Sequence, residues 1–233
     1  MISFINSEKL NFKLKSQNTI IFPIFNSQNQ DKFQHFMNYI TYDIETYFPD
    51  GVSDRIGGKL NVEGMKVAVI GAFISWINGG IYVAFLEENV DEFLQLMKSA
   101  DCIIGFNHIW FDNAVLAKYA DFDLNKLPNW DLMLEAEKNL GFKPKLDDLC
   151  KSNLGTQKTE SFETYRHYHK DGKLFELTDY CMHDVLLTEK LHQLVIKNGF
   201  LLYSDAFKSR QITINRPTFA GNIEIDQKNE TLW

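Results

Sequence analysis

The sequence predicts an α/β protein built on a mixed five-stranded sheet, three antiparallel strands followed by parallel ones, with helices on both faces. Three observations carry this. Residues 39–46 (YITYDIET) alternate between apolar and polar side chains. Two β-rich runs, Lys66 to Ile77 and Gly80 to Leu86, are separated by Asn78-Gly79, a strong hairpin signal. Beyond Leu86, helical and strand patterns take turns. Strands joined by a hairpin run antiparallel, and strands reached through a helix return parallel by right-handed crossovers.

The elements follow in order. Residues 1–37 are polar and Asn/Gln-rich around one apolar island, Thr19 to Phe25, and read as an N-terminal extension, a strand or arm. In the first strand Ile40, Tyr42 and Ile44 share one face and Thr41, Asp43 and Glu45 the other. A Gly-rich loop, Pro49 to Gly64, leads to the hairpin. Val90 to Ala100 has helical spacing, with Val90, Phe93, Leu94 and Met97 on one side. Cys102 to Phe106 is a short buried strand and Phe111 to Ala120 a helix. Pro128 to Leu134 begins as a strand and runs into a helix that ends near Gly141. Leu146 to Leu154 is a helix closed by Gly155, and Glu176 to Lys197 a long helix stopped by Gly199. The regular patterns place one domain at 38–199 and a polar C-terminal extension at 200–233.

The 233 residues are 45% hydrophobic, ordinary for a globular chain able to bury a core without disulfides. Three cysteines, Cys102, Cys150 and Cys181, form no CxxC pair and read as reduced thiols, which points to a cytoplasmic protein. The N-terminal residues lack the apolar stretch of a signal peptide, and no run is long enough to span a bilayer, so no membrane partner is expected. A net charge of −7 argues against a general nucleic-acid binder but not against an enzyme that grips a few nucleotides at a strand end. From Lys138 to Lys173 eight Lys/Arg face five Asp/Glu, a local +3 that makes this stretch either a phosphate-contacting wall or a solvated surface.

Four carboxylates stand out. Asp43 and Glu45, two apart on a strand, point to the same side, where like charges repel and burial is costly. A cation, an arginine or open water must offset that. Asp184 interrupts the otherwise largely apolar stripe Leu177, Tyr180, Cys181, Leu187, Thr188, Leu191, Leu194 and Val195. Tyr180, one turn earlier, could simply hydrogen-bond to it. Asp112 opens a helix directly after a strand, where an aspartate is often only a cap but where open α/β sheets also gather ligands. Each has a plain structural explanation alone. Together they occur in one order, on elements able to converge at one sheet edge. Four carboxylates around two divalent ions suit phosphodiester cleavage, and an oxygen-only ligand set favours Mg²⁺ or Mn²⁺ over zinc.

These motifs resemble those of the DEDD superfamily of 3′–5′ exonucleases, in its tyrosine-bearing DEDDy branch. YDIET is similar to the first motif, GFNHIWFD to the second and YCMHD to the third, with Asp at position 179 arguing against the histidine branch. KLDDLCKSNLG is similar to a connecting segment of such domains. The resemblance covers about residues 38 to 198 and includes proofreading domains of DNA polymerases and ribonuclease-D-like enzymes. It implies a ribonuclease-H-like sheet. It also implies Asp43, Glu45 and Asp184 on one metal, Asp43 bridging to a second with Asp112 helping through water, and Tyr180 orienting the attacking water. The implied partner is a nucleic acid with a free 3′ end, taken single-stranded, with a polymerase or other replication or repair protein as a further partner. The long loop Pro49 to Gly64, and His108 after Asn107, depart from the family pattern.

Other motifs are weaker. His183 beside Asp184 suggests an HD-type hydrolase, but the additional ligands of that fold are missing, and on a helix the two residues diverge by about 100°. Tyr165, His167, Tyr168 and His169 form either a base-stacking loop or a polar surface loop. Trp110 and Phe111 flank the site, at least one of them expected in the core. Two alternatives to a free-standing exonuclease stay open: an inactive nucleic-acid-binding or scaffold module, and a proofreading subunit acting with a separate polymerase.

Overall fold

A computed structural model of the chain describes residues 20–22, 38–77, 79–156, 168–205 and 208–216. The strands are β1 (Ile20–Phe22), β2 (Tyr39–Tyr47), β3 (Arg55–Ile56), β4 (Lys59–Leu60), β5 (Lys66–Ile74), β6 (Ile81–Leu86), β7 (Cys102–Gly105), β8 (Asn129–Asp131), β9 (Phe200–Ser204) and β10 (Ser209–Thr213). The helices are α1 (Val90–Lys98), α2 (Asp112–Leu116), α3 (Leu132–Leu140), α4 (Leu146–Leu154) and α5 (Leu174–Asn198). The main sheet has the order β1-β6-β5-β2-β7-β8. Neighbours from β1 to β2 are antiparallel, and β2-β7 and β7-β8 are parallel. The five expected strands are therefore all present in the expected senses. The sixth, β1, comes from the apolar island of the N-terminal segment and adds to the edge at β6.

The two faces carry different helices. Ile40, Tyr42 and Ile44 of β2 pack with Phe93, Leu94 and Met97 of α1 and with Val115 and Leu116 of α2. The opposite face is covered by α3, α4 and α5 through Leu132, Ala136, Leu149, Val185 and Leu191. Cys181 and Met182 of α5 pack on Val69 and Ala84. The central strand thus has its apolar alternation on one side and its acidic alternation beneath α5.

Four elements differ from the sequence expectation. β5 ends at Ile74 rather than Ile77, because Trp76 and Ile77 turn back onto the α1-side core. The link to β6 is consequently longer than two residues; Asn78 lies outside the described residues. α2 stops at Leu116 rather than Ala120: the Tyr119 amide donates to Leu116 three residues back, and the Tyr119 hydroxyl is drawn to Glu87. The loop 49–64 contains a small hairpin, β3-β4, turning at Gly57 and Gly58, both at positive φ. Lastly, β9 and β10 form a second hairpin after Gly199, whose Leu201 and Ile212 enter the same core as α3 to α5. Among the described residues no helix is long and apolar enough to cross a membrane.

Candidate metal centre

The site is assembled by a close approach of α5 to the sheet. Gly71 of β5 is the partner of Asp43 across the ladder. A Cβ there would lie 3.0 Å from Cys181 Sγ, 3.1 Å from Met182 Sδ and 3.1 Å from Val185 Cγ2. With no side chain at Gly71, α5 settles directly onto the strand pair. The Gly71 amide donates to Cys181 Sγ at 3.2 Å, and the thiol lies 3.4 Å from the Asp43 carbonyl and 3.7 Å from Asp43 Oδ2. Burial first, then the charges of Asp43 and Glu45, push the Cys181 thiol well above its ordinary range. It packs as an uncharged group.

One turn beyond Cys181, Asp184 meets the strand carboxylates. Asp43, Glu45 and Asp184 each present a carboxylate oxygen within 4.8 Å of the others. Asp43 and Glu45 are half-buried and Asp184 is buried. Three like charges this close repel strongly, and a divalent cation between them reverses that balance. Their oxygens are the ligand type that hard cations take. This cluster could hold metal ions. A register shift at Glu45/Thr46 sits at its border, where bulges commonly re-aim side chains beside functional sites.

Asp112 is placed next to this group rather than inside it. β7 pairs with β2 only through Thr41, so the next edge amides of β2 need other partners. Asp112 Oδ1 accepts from Ile44 N at 3.0 Å, between Asp43 and Glu45 along the strand. Burial dominates its electrostatics and raises its pKa to about 7; nearby His108 and the amides of Asp112 and Ile44 offset this only in part. Tyr180 is half-buried on α5, against the cluster formed by Leu177, Cys181 and Met182.

Sequence reasoning missed the residue that fixes the Asp112 loop. Asp131 ends β8 and caps α3, its Oδ1 accepting from Met133 and Leu134. The same carboxylate accepts from Asn107 N at 2.9 Å and Ile109 N at 3.2 Å, and lies 3.4 Å from His108 Nδ1. Burial would raise its pKa, but His108 and the two amides outweigh it and the net shift is downward. Asn107 takes φ 65°, a left-handed conformation that asparagine tolerates, and this turns the chain from β7 toward Asp112. The available signal was an aspartate just before a helical pattern, the ordinary mark of an N-cap.

Glu189 was missed as well. It accepts from the Tyr39 hydroxyl at 2.8 Å, the Thr41 hydroxyl at 2.6 Å and Gln193 at 2.9 Å, with His192 Nδ1 at 3.4 Å. Buried, it bolts α5 to β2, the two elements that carry the acidic cluster. Tyr47, two residues past Glu45, stacks on His169 with centroids 3.7 Å apart. Of the aromatic loop, Tyr165 and His167 lie outside the described residues. Phe111 packs on the core, Trp110 is 65% exposed, and His183 is half-buried.

No protein-family profile matches the chain, and no curated protein matches it in sequence. Among solved structures it is similar to the family B DNA polymerase from the hyperthermophilic archaeon Pyrobaculum calidifontis, with a TM-score of 0.52 and 17% identity. The match covers 69% of this chain and 24% of that one, so the chain spans about a quarter of the polymerase's length. The shared part establishes the fold: an α/β, ribonuclease-H-like mixed sheet with helices on both faces.

Proposed function

We propose that this chain is a metal-dependent 3′–5′ exonuclease that hydrolyses the terminal phosphodiester bond of DNA or RNA. The observation that carries the reading is the meeting of Asp43, Glu45 and Asp184 within 4.8 Å, from a strand and a helix more than a hundred residues apart in sequence. The fold neighbour is a DNA polymerase, the class of protein whose proofreading domains the three motifs resemble.

In this reading Asp43, Glu45 and Asp184 would hold one Mg²⁺ or Mn²⁺, and Asp43 and Asp112 would serve a second. Such a pair supplies an acidified water and charge neutralisation on the attacking and leaving oxygens. The chain's own contribution is positional. Asp131 fixes the loop bearing Asp112, Gly71 lets α5 deliver Asp184, and Glu189 keeps α5 in register with β2. Tyr180 orients the attacking water, because a phenol with an ordinary pKa of about 10 is a weak general base. All four carboxylates and the tyrosine are present, which favours activity over an inert binding module.

The test is a side-by-side digestion of 3′-end-labelled DNA and RNA oligonucleotides with Mg²⁺, with Mn²⁺ and with chelator. Release of labelled mononucleotide with either ion and none with chelator is expected. An intact label under every condition refutes the reading. The polymerase neighbour favours one second reading, a proofreading subunit, which predicts a preference for mismatched over paired 3′ ends.

A further inference from the structure

Beyond the acidic cluster, two exposed aromatics that the reaction does not use, Trp110 and Phe142, adjoin the half-buried Tyr203 and Arg210. Trp110 is 65% exposed and Phe142 43% exposed. Single exposed apolar residues are ordinary and need no function. These are neither isolated nor bare. Lys143 Nζ lies 5.9 Å from the Trp110 ring centroid. Phe142, adjacent to Lys143, meets Tyr203 edge-on at 5.5 Å, and the Arg210 guanidinium covers Tyr203 at 5.6 Å. The contacts therefore run unbroken from the β7–α2 loop, across the α3–α4 link, to the β9–β10 hairpin. Three aromatic rings and two cations are interleaved along them. Among the described residues no carboxylate pairs with Lys143 or Arg210, although the whole chain carries −7.

We infer that Trp110, Lys143, Phe142, Tyr203 and Arg210 form a track for single-stranded nucleic acid, leading the strand toward the acidic cluster. Aromatic faces stack bases of any sequence while cations follow the phosphates, the combination that single-strand binders use. Trp110 is well suited to the nearest base. It stands two residues before Asp112 on the loop that Asp131 clamps through Asn107 and Ile109, so its ring is presented by a rigid support. The charge complementarity is local and opposed to the net charge, which selects for a polyanion at this face. The direction of travel rests on the exonuclease reading; the track itself rests on the surface.

The experiment is a fluorescence-anisotropy titration of the full chain with 5′-labelled dT15 and rU15 in Ca²⁺ buffer at several salt concentrations. Trp110→Ala is expected to weaken binding about tenfold, and Trp110→Phe to restore most of it. Arg210→Ala is expected to lower the slope of log affinity against log salt by about 0.7, the share of one phosphate contact on a single strand. Comparing the two oligonucleotides shows which sugar the track accepts. Wild-type affinity and salt slope in both alanine variants would overturn the track. So would unchanged oligonucleotide affinity with loss of a self-association seen in sedimentation, which would make this face a protein contact. If Trp110-dependent binding occurs but neither Mg²⁺ nor Mn²⁺ yields mononucleotides, the track stands and the exonuclease reading fails.

Discussion

Two acids on the same helix, Glu189 and Asp184, are handled in opposite ways. Around Glu189, donors converge on one carboxylate: Tyr39, Thr41 and Gln193 supply hydrogen bonds and His192 stands alongside. Less than two turns earlier on α5, Asp184 instead meets two further carboxylates. Glu189 is surrounded by its own neutralisation and braces the fold. The Asp43–Glu45–Asp184 group instead brings three carboxylates together where α5 crosses β2, an arrangement that could hold a cation. Burial alone does not distinguish a structural acid from a functional one. What surrounds it does.

The comparison breaks if the two groups respond alike to mutation. Asp43→Ala or Asp184→Ala should lower turnover roughly a thousandfold or more while leaving the melting temperature in chelator unchanged or slightly raised, since a like charge is removed. Full activity in either variant would remove its assigned role. Tyr180→Phe should lower kcat by about ten- to a hundredfold with little change in substrate binding, measured by single-turnover kinetics and anisotropy; an unchanged kcat would end the water-orienting role.

Glu189→Ala should do the reverse of the cluster variants. It strands buried hydroxyls and an imidazole and should cost about 3 kcal/mol, lowering the melting temperature by roughly 6–12 °C. Gly71→Ala sharpens the link between packing and chemistry. Its Cβ presses on Cys181, Met182 and Val185, at a cost of about 1–3 kcal/mol. The displaced helix carries Asp184, so activity falls too, and Cys181→Ala in the same chain should restore part of both.

The smallest effect is on acid stability. Burial tends to raise the Glu189 carboxyl, but His192, Thr41 and Gln193 outweigh it, and its folded pKa falls below 4.5. The folded state then holds fewer protons than the unfolded one. The contribution is complete above about pH 4.5 and is lost as the pH falls through the lower, folded value. Denaturant titrations across pH 3–6 should show a shallower acid limb for Glu189→Gln than for wild type.

Much of this was legible in the sequence because its signals are local. The alternation of residues 39–46 placed Asp43 and Glu45 on one face, and the stripe on α5 put Asp184 against the sheet. Gly141, Gly155 and Gly199 close α3, α4 and α5 in the left-handed conformation that only such a stop requires. What escaped depends on distant partners. Thr41 alternates with Asp43 and Glu45, yet it is fully buried because Glu189, 148 residues away, accepts its hydroxyl. Within the β9–β10 hairpin only Leu201 and Ile212 are fully buried, too few for a pattern to register. Asp131 looks like an ordinary helix cap until the β7–α2 loop folds over it.

Mn²⁺ binding to the intact chain, followed by calorimetry or electron paramagnetic resonance in the absence of nucleic acid, tests the central claim most directly. Wild type should bind Mn²⁺ stoichiometrically, and Asp43→Asn and Asp184→Asn should each abolish or severely weaken it, while Glu189→Gln retains it. Equal Mn²⁺ binding by wild type and the Asp43→Asn and Asp184→Asn variants, or none by wild type, would contradict the account.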